Sequence, residues 1–245
     1  MQTNQPMLND GGVSFCSILD EVFQNGTVEH PDGRKIDCVA NIGKHNCNAL
    51  YGVVQKHRPR VVAEIGMAYG VSSLTILSAL RNNGDGGRLI SIDPYIGWST
   101  GRIVALNQVR RAGFEDTHQH LYEPSYSGLP RLLHDGTPID LVYIDGNHNF
   151  DYAFTDFFLA DKLVKKKGVI GFNDCGWQSV FRVIQFLKRY RRYAELEVGL
   201  EKRFDSKNPF FAMIKRLQGR STADRYFQKL EDWEPSCETL NIPGP

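Results

Sequence analysis

The 245-residue sequence predicts an α/β fold with a seven-stranded, mainly parallel sheet and helices on both faces. From residue 60 onward, short apolar runs alternate with longer segments whose apolar residues recur at helical spacing. Several of the short runs are followed directly by glycine or an acidic residue. Sheets of this kind bind ligands at the carboxyl ends of their strands, so we expect the functional chemistry there.

Residues 1–59 are expected to form a helical cap ahead of the sheet. The polar opening at residues 1–12 is expected to be flexible, and apolar side chains spaced for one helix face follow at 15–23. Residues 30–33 (His-Pro-Asp-Gly) predict a turn between two short extended pieces. Residues 43–57 predict a second helix.

Residues 60–217 are expected to carry the sheet. Predicted strands lie at 61–65, 88–93, 118–122, 139–145 and 169–173, and predicted helices at 71–80, 100–112, 129–133, 150–167 and 177–187. Gly168 suits a left-handed cap at the end of the fourth of these helices. Two late strands, at 193–198 and 210–214, are expected to complete the sheet, and residues 218–245 are expected to be a C-terminal tail.

Charge and composition narrow the class of protein. The chain carries 29 basic and 28 acidic side chains, so net charge favours neither nucleic acid nor a membrane surface as partner. No apolar stretch approaches the roughly 20 residues that span a bilayer, and the N-terminus lacks the apolar core of a signal peptide. The five cysteines form no C-x-x-C pair, which fits free thiols in a reducing compartment. We expect a soluble, cytoplasmic protein.

A glycine-containing turn follows the first strand of the sheet. Gly66 and Gly70 allow the backbone to approach a ligand closely, and Ser72 and Ser73 open the next helix, whose amides and dipole favour a carboxylate. Ala68 occupies the position of the second glycine in the dinucleotide pattern G-x-G-x-x-G. The turn therefore suits an amino-acid carboxylate better than a pyrophosphate.

An acidic residue, Asp93, ends the second strand. A carboxylate at this place can accept hydrogen bonds from both hydroxyls of a ribose. Glu64 and Asp93 with the intervening turn thus predict a site for an adenosyl amino acid. The alternative is that both acids cap loops and the glycines only form turns. Trp98 either lines the pocket or anchors its helix.

These motifs together resemble the class I S-adenosylmethionine-dependent methyltransferases. The turn Glu64–Ser72 resembles their first motif, and Asp93 matches their ribose-binding acid. The segments Ile144–His148 and Gly168–Asp174 are similar to the O-methyltransferase branch, which includes catechol-type and macrocin-type natural-product enzymes. The resemblance covers residues 61–192. It implies a Rossmann-like domain, S-adenosylmethionine as cofactor, and a hydroxyl group of a sugar or other natural product as acceptor.

The resemblance also implies roles for individual residues. Gly66 and Tyr69 would face the methionine part of the cofactor, and Ser72 or Ser73 would hold its carboxylate. Ser125 and Tyr126 would lie near the adenine.

Polar residues end the fourth and fifth strands. Asp145 follows the fourth strand, and Asn173 with Asp174 follows the fifth, so their oxygens are expected to converge on one Mg²⁺ site. A cation there would lower the pKa of a substrate hydroxyl. Related metal-dependent enzymes carry two acids, or an acid followed by asparagine, where this chain has the order Asn-Asp. Alternatively, Asp174 caps the next helix and Asp145 positions the cofactor.

His148 lies three residues after Asp145 in a loop at the same edge of the sheet. A histidine there is a candidate general base, because its pKa lies near working pH. The alternative is a surface residue that only forms hydrogen bonds.

Two other functions remain open from the sequence. An NAD-dependent oxidoreductase shares the sheet and the acid after the second strand, but the glycine spacing differs and no Tyr-x-x-x-Lys pair stands in the right region. A non-catalytic nucleoside-binding module would not need the polar strand ends or His148. The helices before residue 60 and the tail from residue 221 are candidate contacts with a second copy of the chain.

Overall fold

The computed structural model describes residues 15–39, 42–201, 204, 208–217 and 221–236. The predicted flexible opening at 1–12 lies outside the described residues. The strands are β1 Thr27–Glu29, β2 Lys35–Asp37, β3 Val61–Ile65, β4 Arg88–Ile92, β5 His118–Leu121, β6 Ile139–Ile144, β7 Val164–Phe172, β8 Tyr193–Glu195 and β9 Arg225–Lys229. The helices are α1 Ser17–Asn25, α2 Lys44–His57, α3 Val71–Asn83, α4 Ser99–Arg111, α5 Ser125–His134, α6 Phe150–Leu163, α7 Gln178–Tyr190 and α8 Pro209–Leu217.

Seven strands form one sheet in the order β5-β4-β3-β6-β7-β9-β8. Strands β3 to β7 are parallel to one another, whereas β9 runs antiparallel to both β7 and β8. This arrangement confirms the predicted seven-stranded, mainly parallel sheet. The strand order reverses between β3 and β6, so the carboxyl ends of these two strands flank the crevice where such sheets bind ligands.

Helices cover both faces of the sheet, because alternate residues of each buried strand point to opposite sides. Val62 of β3 packs in one core with Leu50 of α2 and Leu77 of α3. Its neighbour Ala63 packs in the other core with Phe157 of α6 and Ile184 of α7. The cap formed by α1, α2 and the β1–β2 hairpin belongs to the first core. This confirms the predicted N-terminal helices and the turn between two extended pieces.

The strand predicted at residues 210–214 is wrong. These residues lie in α8, and Pro209 before them is favoured at the first position of a helix. The missing strand is β9, which comes from the predicted tail and inserts between β7 and β8. Its central residues, Tyr226 and Phe227, are fully buried.

The end of the helix before β7 was also predicted wrongly. Helix α6 ends at Leu163, and the chain enters β7 at once. The left-handed residue is Lys167, with φ of 70°, rather than Gly168. Gly168 is required for space, since a Cβ there would lie 2.7 Å from the main-chain oxygen of Asp140.

Within the described ranges, no helix combines the length and the apolar character needed to cross a bilayer.

Candidate active site

The turn after β3 is held tightly between the ends of β4 and β6. The Gly66 amide donates to the Ile92 carbonyl at 3.0 Å, and the Asp145 amide donates to the Ile65 carbonyl at 2.9 Å. Gly66 has φ of +85°, and a Cβ there would collide with the main-chain oxygen of Asp145 and lie 2.8 Å from its carbonyl carbon. Only glycine meets both constraints, so this residue fixes how closely β3 and β6 approach at the crevice.

Asp93 is bound directly to the same turn. Its carboxylate accepts hydrogen bonds from the amides of Met67 at 2.9 Å, Ala68 at 3.2 Å and Tyr95 at 2.8 Å. A carboxylate offers about four acceptor positions, so these three amides leave about one for a ligand hydroxyl. Ala68 adopts a left-handed conformation with φ of 47°, and the Tyr95 hydroxyl donates to its carbonyl at 2.7 Å. The glycine turn and the Asp93 carboxylate therefore form one hydrogen-bonded unit.

A cavity of about 350 Å³ opens beside this unit, which we call the main cavity. Cavities of roughly 300 to 1,000 Å³ are typical of small-ligand sites. Five of the predicted cofactor residues line it, and Trp98 lies on its wall. Tyr152, which the sequence analysis did not select, also lines it, with its ring 6.2 Å from that of Tyr126. The predicted residues on the wall are Gly66, Asp93, Ser125, Tyr126 and Asp145.

The other predicted cofactor residues do not line the main cavity. Glu64 is fully buried, and its carboxylate accepts hydrogen bonds from the hydroxyls of Ser73 at 2.5 Å and Ser91 at 2.7 Å. Burial raises the pKa of Glu64, and the serine hydrogen bonds oppose that effect. The Ser73 hydroxyl is therefore committed to Glu64. Residues of the predicted set that do not line the main cavity are Glu64, Tyr69, Gly70, Ser72 and Ser73.

Asp145, His148 and Asp174 form an acid–histidine cluster at the ends of β6 and β7. One ligand atom from each of the three lies within 4.8 Å of the others. His148 Nε2 lies 2.8 Å from a carboxylate oxygen of Asp174, and the Trp177 ring stacks on His148 with centroids 5.8 Å apart. Burial raises the pKa of Asp145 well above its usual range, and the charge of Asp174 adds to this. The cluster thus holds the imidazole between a carboxylate and an indole.

The amide nitrogen of Asn173 is bound by a buried acid, Asp224, that the sequence did not point to. This nitrogen donates to Asp224 at 3.0 Å and to the Tyr143 hydroxyl at 3.2 Å. The Tyr143 hydroxyl itself donates to Asp224 at 2.7 Å. Burial raises the pKa of Asp224 to about 7. The sequence gives little indication of a role for Asp224, because this residue lies just before β9, in the segment predicted to be a C-terminal tail.

The chain is similar to methyltransferases in sequence and in structure. Residues 63–175 match a family described as "Methyltransferase domain". An O-methyltransferase of Aspergillus hancockii, hkm8, is 27% identical over 159 residues, which cover 65% of this chain and 56% of that protein. The chain thus spans little more than half of the length of this relative.

Solved structures show the same fold. An O-methyltransferase from Bacillus cereus in complex with SAH superposes with a TM-score of 0.66 at 17% identity, covering 91% of this chain and 94% of that one. The O-methyltransferase TomG from Streptomyces achromogenes, involved in tomaymycin synthesis and in complex with SAM, gives 0.60 at 20% identity, covering 78% and 82%. The resemblance inferred from the sequence motifs, and the Rossmann-like fold that it implies, are confirmed.

Proposed function

We propose that this chain binds S-adenosylmethionine and methylates a hydroxyl group of a small molecule, because residues 63–175 match a methyltransferase family and the fold is shared with an O-methyltransferase of known structure. One observation carries the proposal. The Gly66 turn contacts both the Asp93 carboxylate and the Asp145 main chain, and all three residues line one cavity, to which the acid–histidine cluster contributes Asp145.

The main cavity fits an adenosyl amino acid. Asp93 keeps an acceptor position for a ribose hydroxyl, and Ser125 and Tyr126 stand on the wall where the adenine would lie. The Gly66 turn, which lines the cavity, would lie against the methionine part. The bound cofactor supplies a methylsulfonium group as the methyl donor.

His148 is the proposed general base. If its Nε2–H donates to Asp174, Nδ1 is left as the proton acceptor, and Asp174 stabilises the imidazolium that forms. The acceptor oxygen then forms a bond to the methyl carbon while the carbon–sulfur bond breaks and its electron pair stays on sulfur. The hydroxyl proton ends on His148.

A divalent cation is a second part of the proposal. Asp145 and Asp174 offer the carboxylate oxygens that Mg²⁺ prefers, and the hydrogen bond from the Asn173 amide nitrogen to Asp224 would leave the Asn173 amide oxygen as a further ligand. A cation held by the two acids would lower the pKa of the acceptor hydroxyl. Calorimetric titration with MgCl₂ tests this: we expect Asp174→Ala to bind Mg²⁺ more weakly than wild type, and unchanged binding would remove Asp174 from the site.

A thermal-shift experiment separates methyl transfer from the alternative functions. A ligand that binds only the native state raises the melting temperature, so we expect stabilisation by S-adenosylhomocysteine and none by NAD. Stabilisation by NAD alone would favour an oxidoreductase. Transfer of labelled methyl to a panel of hydroxylated acceptors then distinguishes an enzyme from a module that only binds nucleosides.

A further inference from the structure

A second cavity adjoins the acid–histidine cluster, and the proposed function leaves it without a role. It measures about 530 Å³, and we call it the side cavity. Asn147 lines both cavities, so the two meet at the loop after β6. His148 and Trp177 stand in the wall of the side cavity. A molecule in this space would therefore contact the proposed base next to the point where the two cavities meet.

The side cavity is electropositive at one end. Arg182 on α7 lines it, is exposed, and has no carboxylate partner among the residues that the structure describes. The first turn of α7 also lines the cavity, carries no acidic residue, and has no side-chain cap on its amides. The helix dipole and the Arg182 guanidinium thus favour an anion together. The nearest acid of the cluster, Asp174, is already paired with His148.

Aromatic side chains border the same space. The Trp177 side chain is 58% exposed, although its ring stacks on the His148 ring at an interplanar angle of 25°. Phe150, at the start of α6, is 49% exposed on the cavity wall. Exposed aromatic faces inside a cavity are suited to stacking with a flat ring.

We propose that the side cavity binds the methyl acceptor and selects an aromatic hydroxy acid. The ring would stack on Trp177, the carboxylate would pair with Arg182, and a hydroxyl would lie beside His148. This inference rests on the proposed function only for methylation of the hydroxyl. The preference for a carboxylate over a neutral group concerns binding alone.

Calorimetry on the full chain tests the charge preference with a matched pair of probes, 3,4-dihydroxybenzoate and 3,4-dihydroxybenzamide. We expect the acid to bind about fivefold more tightly than the amide, which corresponds to roughly 1 kcal/mol for a solvent-accessible ion pair. Arg182→Gln should abolish this ratio. Arg189→Gln changes an exposed arginine seven residues further along the same helix and should preserve it.

Trp177→Ala provides a separate signature for the ring. Loss of stacking should weaken both probes about equally and leave their ratio unchanged. Equal binding of the two probes to wild type, a ratio that survives Arg182→Gln, or no binding of either probe at millimolar concentration would overturn the inference.

All titrations are run with and without S-adenosylhomocysteine. Failure of the chain to bind S-adenosylhomocysteine would refute the proposed function but leave the preference for the acid measurable. A chain that binds S-adenosylhomocysteine and methylates acids and amides equally would keep the function and refute the selectivity.

Discussion

At the scale of single residues, His148 is the side chain on which the proposed chemistry depends most directly. It is fixed on one side by Asp174 and on the other by Trp177. It lies outside the wall of the main cavity, so its removal leaves the proposed cofactor contacts intact. The two steps of binding and transfer are therefore separable by substitution at this position.

We expect His148→Ala to bind S-adenosylhomocysteine as wild type does and to lose about 10²- to 10⁴-fold in turnover, as removal of a general base does. Cofactor affinity is measured by calorimetry and turnover by transfer of labelled methyl. His134→Ala, at an exposed position at the end of α5, is the control and should retain both. Turnover of His148→Ala within twofold of wild type would place the base elsewhere.

Gly66 tests the cavity itself. Gly66→Ala should weaken binding of S-adenosylhomocysteine at least tenfold and lower the free energy of unfolding by about 1 to 3 kcal/mol, because the new Cβ meets the Asp145 backbone. Gly84→Ala is the control, since Gly84 has φ of +70° and open space around its Cβ position. Gly84→Ala should lower the free energy of unfolding through backbone strain alone and leave the affinity for S-adenosylhomocysteine unchanged. Equal affinity in both variants would contradict the proposed placement of the cofactor.

The side chains show what the sequence predicted about the site and what it did not. Strand-end acids converge because parallel strands end at one edge of a sheet, so Asp93, Asp145 and Asp174 were placed correctly near the crevice. The direction of a hydroxyl or amide depends on partners far along the chain. Ser73 shares Glu64 with Ser91, and the Asn173 amide binds Asp224, 51 residues away.

At the scale of elements, β3, β4, β6 and β7 were predictable as strands because each combines a buried apolar run with a glycine, acid or turn at its end. The structure of residues 210–214 was not predictable, because a short apolar run fits a helix or a strand equally well by periodicity. Residues 225–229 were missed because only Tyr226 and Phe227 among them are apolar. Residues 225–229 pair with β7, and the Tyr226 ring packs against Gly171 of that strand, in the space where a Cβ at position 171 would lie.

Helix α6 carries a buried acid, Asp156, whose protonation makes the free energy of unfolding depend on pH. The side chain is 1% exposed, one of its carboxylate oxygens has no hydrogen-bond partner among the described residues, and burial raises its pKa to about 6. A raised pKa in the folded state means that the native protein binds the proton more tightly than the unfolded chain does. The stabilisation is complete below about pH 4 and is lost as the pH rises through about 6.

Asp156→Asn should therefore flatten the decline of the free energy of unfolding between about pH 4 and 6, by at most about 3 kcal/mol over that interval. Urea unfolding at a series of pH values measures the slope. The buried acids Glu64, Asp145 and Asp224 shift in the same direction and keep part of the decline in the variant. Asp151→Asn, at an exposed position of the same helix, should leave the slope as in wild type. An unchanged slope in Asp156→Asn would contradict the assignment.

At the scale of the whole molecule, the C-terminal segment completes the sheet on which the site is built. Strand β9 pairs with β7 on one side and β8 on the other, so its loss would leave β8 without a partner and β7 as the edge of the sheet. The same segment carries Asp224, which holds Asn173 at the end of β7. The segment from Asp224 to Lys229 thus links the edge of the sheet to the proposed active site.

A chain that ends at residue 217 should consequently fail to fold. It would lose the fully buried rings of Tyr226 and Phe227, each worth about 3 to 5 kcal/mol, against a total stability of roughly 5 to 15 kcal/mol for a domain. The matched control ends at residue 236, which keeps β9. Thermal and urea unfolding followed by circular dichroism should show a cooperative transition for the control and none for the shorter chain. A cooperative transition in the shorter chain, with S-adenosylhomocysteine still raising its midpoint, would mean that β9 only covers a sheet already stable without it.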